Sequence, residues 1–212
     1  MTLDPVASAG LVTREVRSGT RDGAATKIAI ARRAYPTDQA DLWDALTNIE
    51  RIPRWFLPVT GELKVGGRYQ LEGNAGGTVE RCDEPGSFAV TWEFGGQVSW
   101  LQVTLVPDGQ GTVLELVHEA HVDPAMWGQY GPGAVGVGWD LGLMGLGLHL
   151  ETGAQVDPAT AVTFPASPAG TEFIRLAAAD WGEAAIRDGD DPGQAREAAA
   201  RTAAFYSPQP GD

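Results

Sequence analysis

Residues 131–151 read GPGAVGVGWDLGLMGLGLHLE, and the fold turns on how that run is read. Past Gly131-Pro132-Gly133, Val135, Trp139, Leu143, Leu146 and Leu150 recur three and four apart, with Val137, Leu141, Met144 and Leu148 as a second stripe beside them. The spacing predicts one long helix, apolar nearly all round, and such a helix is covered on more than one side. Ala134, Gly138, Gly142, Gly145 and His149 form a third row, where missing side chains let another backbone or a ligand come close. A glycine inside a helix costs about 1 kcal/mol against alanine, so packing or a site must gain from this smallness. Asp140, His149, the glycine load and the lack of a second apolar run argue against a membrane span.

Outward from this run the chain is acidic. Its 212 residues hold one large domain, or one domain with an appendage, and bury a substantial core. A formal charge of -13, with no local run of Lys or Arg, makes nucleic acid and anionic membrane poor partners. The single cysteine, Cys82, rules out an intramolecular disulfide or a cysteine-built metal cluster. The opening MTLDPVASAG has neither the basic start nor the apolar core of a signal peptide, so the expected location is the cytoplasm.

Residues 1–10 read as loose, and residues 11–35 as two extended stretches joined by GTRDG. Thr37 and Asp38 cap a helix carrying Leu42, Trp43, Leu46 and Ile49, and Asn48 starts a second, short one. Beyond Pro58 come alternating runs at 62–64, 68–72, 77–82, 87–94, 97–106 and 111–122, whose short glycine-marked gaps suit antiparallel hairpins. Phe88, Val90, Trp92 and Phe94 share one face of their strand; Leu101, Val103 and Leu105, then Leu114, Leu116, His118 and Ala120, share faces of the next two. Asp123-Pro124 opens a short helix before the long one, which stops at Gly153. Asp157-Pro158, Ser167-Pro168 and Asp191-Pro192 each open a helical segment of the tail. The stripe Phe173, Ile174, Ala177 and Trp181 in that tail is expected to cover the side of the long helix that the sheet leaves open.

This order resembles the helix-grip fold of the START-like, Bet v 1-like superfamily. DLWDALTNIERIPRWFLPV, GGRYQLEG, GTVERCDEPGSFAVTWEF, GTVLELVHEAHV and GVGWDLGLMGLGLHLE are similar, in order, to phrases of its branch named for the activator of heat-shock-protein-90 ATPase, over roughly residues 26–151. The resemblance implies an α+β fold in which a curved antiparallel sheet wraps around a long C-terminal helix, with an added C-terminal helical segment. The expected domains are 1–25, an N-terminal extension and possible first strand; 26–155, the helix-grip domain; and 156–212, a helical appendage packing on it. The superfamily includes lipid carriers, hormone receptors, polyketide aromatase/cyclases and co-chaperone domains, so fold alone leaves function open. Residues 1–25 show no counterpart of the chaperone-binding domain of eukaryotic activators.

The candidate chemistry is sparse. His118 and His121 stand three apart on a strand, hence on opposite faces, which argues against a shared metal ion; no metal or cofactor is expected. His118 reads as a hydrogen-bonded histidine at the rim of the core, as a ligand-orienting group, or as an acid/base. His149 sits near the end of the long helix, where its dipole favours imidazolium. Asp140 is read as a solvated carboxylate or one paired with a base such as Arg68 or Arg81. From the resemblance, Trp55, Trp92 and Trp139 surround the cavity, and the expected ligand-binding set is Trp55, Phe56, Trp92, Leu116, His118, Trp139, Gly142 and Leu143. The first expectation is a binding protein, monomer or homodimer, for a small hydrophobic molecule held between sheet and long helix. The alternatives are a cyclase or dehydratase using His118, and a chaperone-accessory module.

Overall fold

The computed structural model describes residues 4–207. Its strands are β1 (Thr13–Arg21), β2 (Ala24–Tyr35), β3 (Val59–Gly61), β4 (Arg68–Leu71), β5 (Gly76–Asp83), β6 (Ser87–Phe94), β7 (Gln97–Asp108) and β8 (Gly111–His121). They form one sheet in the order β1-β2-β8-β7-β6-β5-β4-β3, with β8 back to β3 paired antiparallel neighbour to neighbour. The helices are α1 (Pro5–Ala9), α2 (Gln39–Thr47), α3 (Pro124–Tyr130), α4 (Gly133–Thr152), α5 (Pro158–Thr163), α6 (Pro168–Asp188) and α7 (Pro192–Tyr206), with 3-10 turns at Ile52–Arg54 and Phe164–Ala166. This is the α+β helix-grip class, with α5–α7 added behind its long helix α4 in the chain.

Local chemistry explains the boundaries. Asp4, Asp123, Asp157 and Asp191 each cap a helix whose first turn begins with proline, and Ser167 does the same for α6. Asp38 caps α2 by accepting from the Asp41 amide at 2.8 Å. Helix α4 ends where Gly153 takes φ 65°, a conformation that disfavours other residues. Two expectations need correction. Residues 5–9 are helical, with Ser8 and Ala9 buried, because Asp4-Pro5 is the same cap-and-proline device seen elsewhere. The strand expected at 62–64 lies at Val59–Gly61 instead, since the chain turns after Gly61 (φ 107°).

The chain forms two compact units, one from the described parts of Met1–Ala31, His121–Met144 and Asp157–Asp212, the other from Arg32–Ala120 and Gly145–Val156. In the first, α6 packs on β1, α1 and α7. Phe173, Ile174, Ala177 and Trp181 are essentially inaccessible to solvent. Trp181 lies against Gly136 of α4, where an added Cβ would stand 2.5 Å from the indole Nε1. Helix α7 clips onto the α3–α4 corner: Thr202 Oγ1 donates to the Tyr130 carbonyl at 2.7 Å and Tyr206 to that of Ala134 at 2.8 Å. Lys27 joins Asp188 and Asp190 at 2.7 and 3.0 Å and lies over the Trp127 ring.

In the second unit, β4–β8 carry an aliphatic face continued by α2, whose Leu42, Trp43 and Ala45 are buried; Trp43 meets Phe88 of β6 edge to face. The last turns of α4 belong here. Gly145 admits the Trp55 carbonyl, which an added Cβ would meet at 2.7 Å, and Gly147 admits the Arg33 guanidinium at 2.5 Å. The close approach expected along the small-residue row is thus made by backbone at Gly145, and by the Tyr206 hydroxyl at Gly138, 3.2 Å from an added Cβ.

Candidate functional site

Strand register assembles the site. Val90 of β6 pairs with Leu101 of β7, and Leu101 with His118 of β8; one step along, Trp92 pairs with Ser99; one step back, Val103 pairs with Leu116. Paired residues point the same way, so Trp92, Ser99, Leu101, Leu116 and His118 share one face. Its middle is closed: Val90, Leu101, Val103, Leu114 and Leu116 are all buried. Towards the β6–β7 turn it opens, Trp92 being half-buried and Phe94 60% exposed.

A polar pair interrupts this apolar face. His118 is buried, and its Nε2 lies 2.8 Å from Ser99 Oγ, which donates to the Trp92 carbonyl at 3.1 Å. A serine has one proton, so both bonds form together when His118 Nε2–H donates to Ser99 and Ser99 passes its own proton to the carbonyl. The imidazole edge meets the Trp92 ring, centroids 6.1 Å apart. Burial pushes the His118 imidazole down to about 4, which leaves it neutral at pH 7. Trp55 and Phe56 stack at 5.3 Å, both half-buried, and Trp55 is oriented by its Nε1–H donating to the Ala45 carbonyl at 2.8 Å.

Of the eight residues singled out in the sequence, five therefore lie in one unit: Trp55 beside Phe56, Trp92 beside His118, and Leu116 two residues before His118 on the same face. The other three, half-buried Trp139 and buried Gly142 and Leu143, belong to the part of α4 in the other unit. Ser99 went unnoticed, although a lone hydroxyl in the alternation Ser99, Leu101, Val103, Leu105 was a legible signal.

Two readings of charged groups change. Asp140 is fully buried and paired, but with Arg14 of β1 rather than Arg68 or Arg81: Arg14 Nε donates to its Oδ2 at 3.1 Å and Trp181 Nε1 at 2.8 Å. Burial, opposed by the Arg14 charge, raises its carboxyl to about 6. His149, expected only to face the helix dipole, is buried, with Arg51 Nε donating to its Nε2 at 3.1 Å and its Nδ1 lying 2.8 Å from the Ala154 carbonyl. Among the described residues no three His, Cys, Asp or Glu side chains are grouped to hold a metal ion, and no helix is long and apolar enough to cross a membrane.

Comparison with known proteins places this geometry. Residues 36–151 match the family model described as Activator of Hsp90 ATPase homolog 1-like protein. The solution structure of CalU16 from Micromonospora echinospora is similar at 30% identity and a TM-score of 0.67, over 84% of this chain and 97% of that one. Its crystal structure gives 27% and 0.65, over 84% and 99%. The protein EF2215 from Enterococcus faecalis shares the fold at 17% identity and 0.60, over 88% and 97%. The Aha1 dimer from Colwellia psychrerythraea does so at 14% and 0.50, over 58% and 96%. No curated protein matches the sequence. The family model covers more than half of the 212 residues and CalU16 is similar over almost its whole length, so the chain belongs to the family of Activator of Hsp90 ATPase homolog 1-like proteins.

Proposed function

We propose that the protein binds a small, uncharged hydrophobic molecule against the sheet face of Trp92, Leu116 and His118, with the Trp55–Phe56 stack as a further contact. One observation carries the reading: an aliphatic face that ends in a half-buried tryptophan holds a polar pair, buried His118 with half-buried Ser99, whose imidazole is neutral at pH 7. Ligand sites of this kind are mostly apolar with a few placed polar groups. A neutral imidazole pair orients a polar ligand atom without demanding a charge, and an ionised ligand would lose its hydration there uncompensated.

Acid/base catalysis by His118 has less support in the geometry. An imidazole pushed to about 4 is a weak base at neutral pH, and its Ser99 partner already gives its proton to a carbonyl. The chaperone-accessory reading draws on the family description alone.

The test uses the neutral fluorophore prodan. Saturable binding is expected, with blue-shifted emission and quenching of tryptophan fluorescence, and Trp92→Ala should weaken it about tenfold, the equivalent of about 1.4 kcal/mol. Absence of saturable binding, or equal binding by Trp92→Ala, would refute the proposal.

A further inference from the structure

Ser99 and His118 differ in how far a ligand can reach them. His118 is 5% exposed, whereas Ser99 is half-buried and stands opposite Trp92 in the β6–β7 pairing, on the side where the face opens. A molecule arriving from the β6–β7 turn therefore meets the serine hydroxyl before the imidazole. Packing does not demand a hydroxyl here, since Leu101, Val103 and Leu105 continue the same row of β7 with buried aliphatic side chains.

Counting protons shows what that hydroxyl has left to offer. A serine carries one proton and two lone pairs. The proton goes to the Trp92 carbonyl at 3.1 Å, and one lone pair takes the Nε2–H of His118 at 2.8 Å. The imidazole, neutral at pH 7 because burial pushes it down to about 4, has the single ring proton that this arrangement needs. Among the described residues Ser99 Oγ has no third partner, so one lone pair remains. We infer that Ser99 sets the polarity of the ligand: the molecule bound on the Trp92–His118 face carries a neutral hydroxyl or N–H group that donates to Ser99 Oγ. The inference rests on the binding site proposed above and adds the ligand's class, an apolar body bearing an alcohol, phenol or N–H donor. An ether, ketone or carboxylate oxygen in that place would set its lone pairs against that of Ser99 and lose its hydration without replacement.

Naphthol and its methyl ether share one ring system and differ in the donor. Each is titrated against bound prodan, which has no donor and reads the apolar contact alone. The quantity compared is the ratio of the two dissociation constants, ether over naphthol, because its change between proteins cancels the greater size of the ether. Ser99→Ala removes the acceptor and leaves the His118 Nε2–H without one, turning the site from acceptor to donor. The ratio should then fall about tenfold or more while prodan still binds, and Ser99→Thr, which keeps a hydroxyl, should keep the preference for naphthol. A ratio unchanged within about twofold in Ser99→Ala, or lost equally in Ser99→Thr, overturns the donor assignment and leaves the binding site standing. Prodan that fails to bind the wild type saturably overturns both together. Should Ser99→Ala fail to fold, the wild type decides. A cyano group on the ring of both ligands strengthens the naphthol donor, with the cyano ether as control for size, so the ratio should widen; a ratio that narrows or stays the same overturns the inference.

Discussion

Trp181 is the place where the added helices meet α4, and shortening it should be among the most damaging single changes in the first unit. The indole is 1% exposed, lies against Gly136 and donates its N–H to Asp140 Oδ2 at 2.8 Å. Trp181→Ala removes a fully buried aromatic side chain, a loss of about 3–5 kcal/mol. Trp181→Phe keeps most of the ring and removes the donor. Among the described residues Asp140 Oδ1 has no hydrogen-bond partner and, with the indole donor gone, Arg14 is the only side chain bonded to the carboxylate, so the variant costs about 1.5–3 kcal/mol. Gly136→Ala supplies a change of sign. Alanine is the better helix former by about 1 kcal/mol, yet its Cβ would stand 2.5 Å from Trp181 Nε1, so in the wild type it should destabilise by about 1–3 kcal/mol. In the Trp181→Ala background, with the indole gone, the same substitution should stabilise. Urea unfolding followed by circular dichroism gives all four values. Gly136→Ala destabilising equally in both backgrounds, or Trp181→Ala costing under about 1 kcal/mol, would refute the packing described.

Two buried groups should shape stability against pH in opposite senses. Asp140, raised to about 6 from 3.8, binds its proton more tightly in the folded chain, so its contribution is complete below about pH 4 and is lost, by about 3 kcal/mol, as pH rises through 6. His118, lowered to about 4 from 6.5, contributes above pH 6.5 and loses about 3 kcal/mol as pH falls through 4. Urea midpoints measured across this range should therefore fall more steeply in acid for Asp140→Asn than for wild type, and less steeply for His118→Gln; parallel curves would contradict the assignment. Gly147→Ala should cost about 1–3 kcal/mol, because the Arg33 guanidinium it would push at 2.5 Å is itself held over the Tyr35 ring; no loss in thermal melting would show that Arg33 moves aside freely.

The periodic and punctuated parts of this fold were legible in the sequence. The long helix, its Gly153 stop and the aspartate-proline helix starts are local signals, as is the alternation that sets Trp92, Leu116 and His118 on inner faces. Helix α1 escaped because its signal, Asp4-Pro5, precedes only five helical residues. What could not be read was long-range pairing. Arg14 and Asp140 lie 126 residues apart and Arg51 and His149 98 apart, and no spacing rule connects them. The dipole argument for His149 named no partner, and the direct hydrogen bond from Arg51 lay beyond any local signal.

The central claim, a neutral apolar site on the Trp92–His118 face, is tested most directly by NMR of the labelled protein titrated with prodan. The account predicts saturable shifts of the Trp92 and Trp55 indole signals and of the His118 ring, with the Trp127 and Trp181 indoles, engaged with Asp190 and Asp140, unmoved. Shifts confined to Trp127 or Trp181, or no saturable shift at Trp92 and His118, would contradict it.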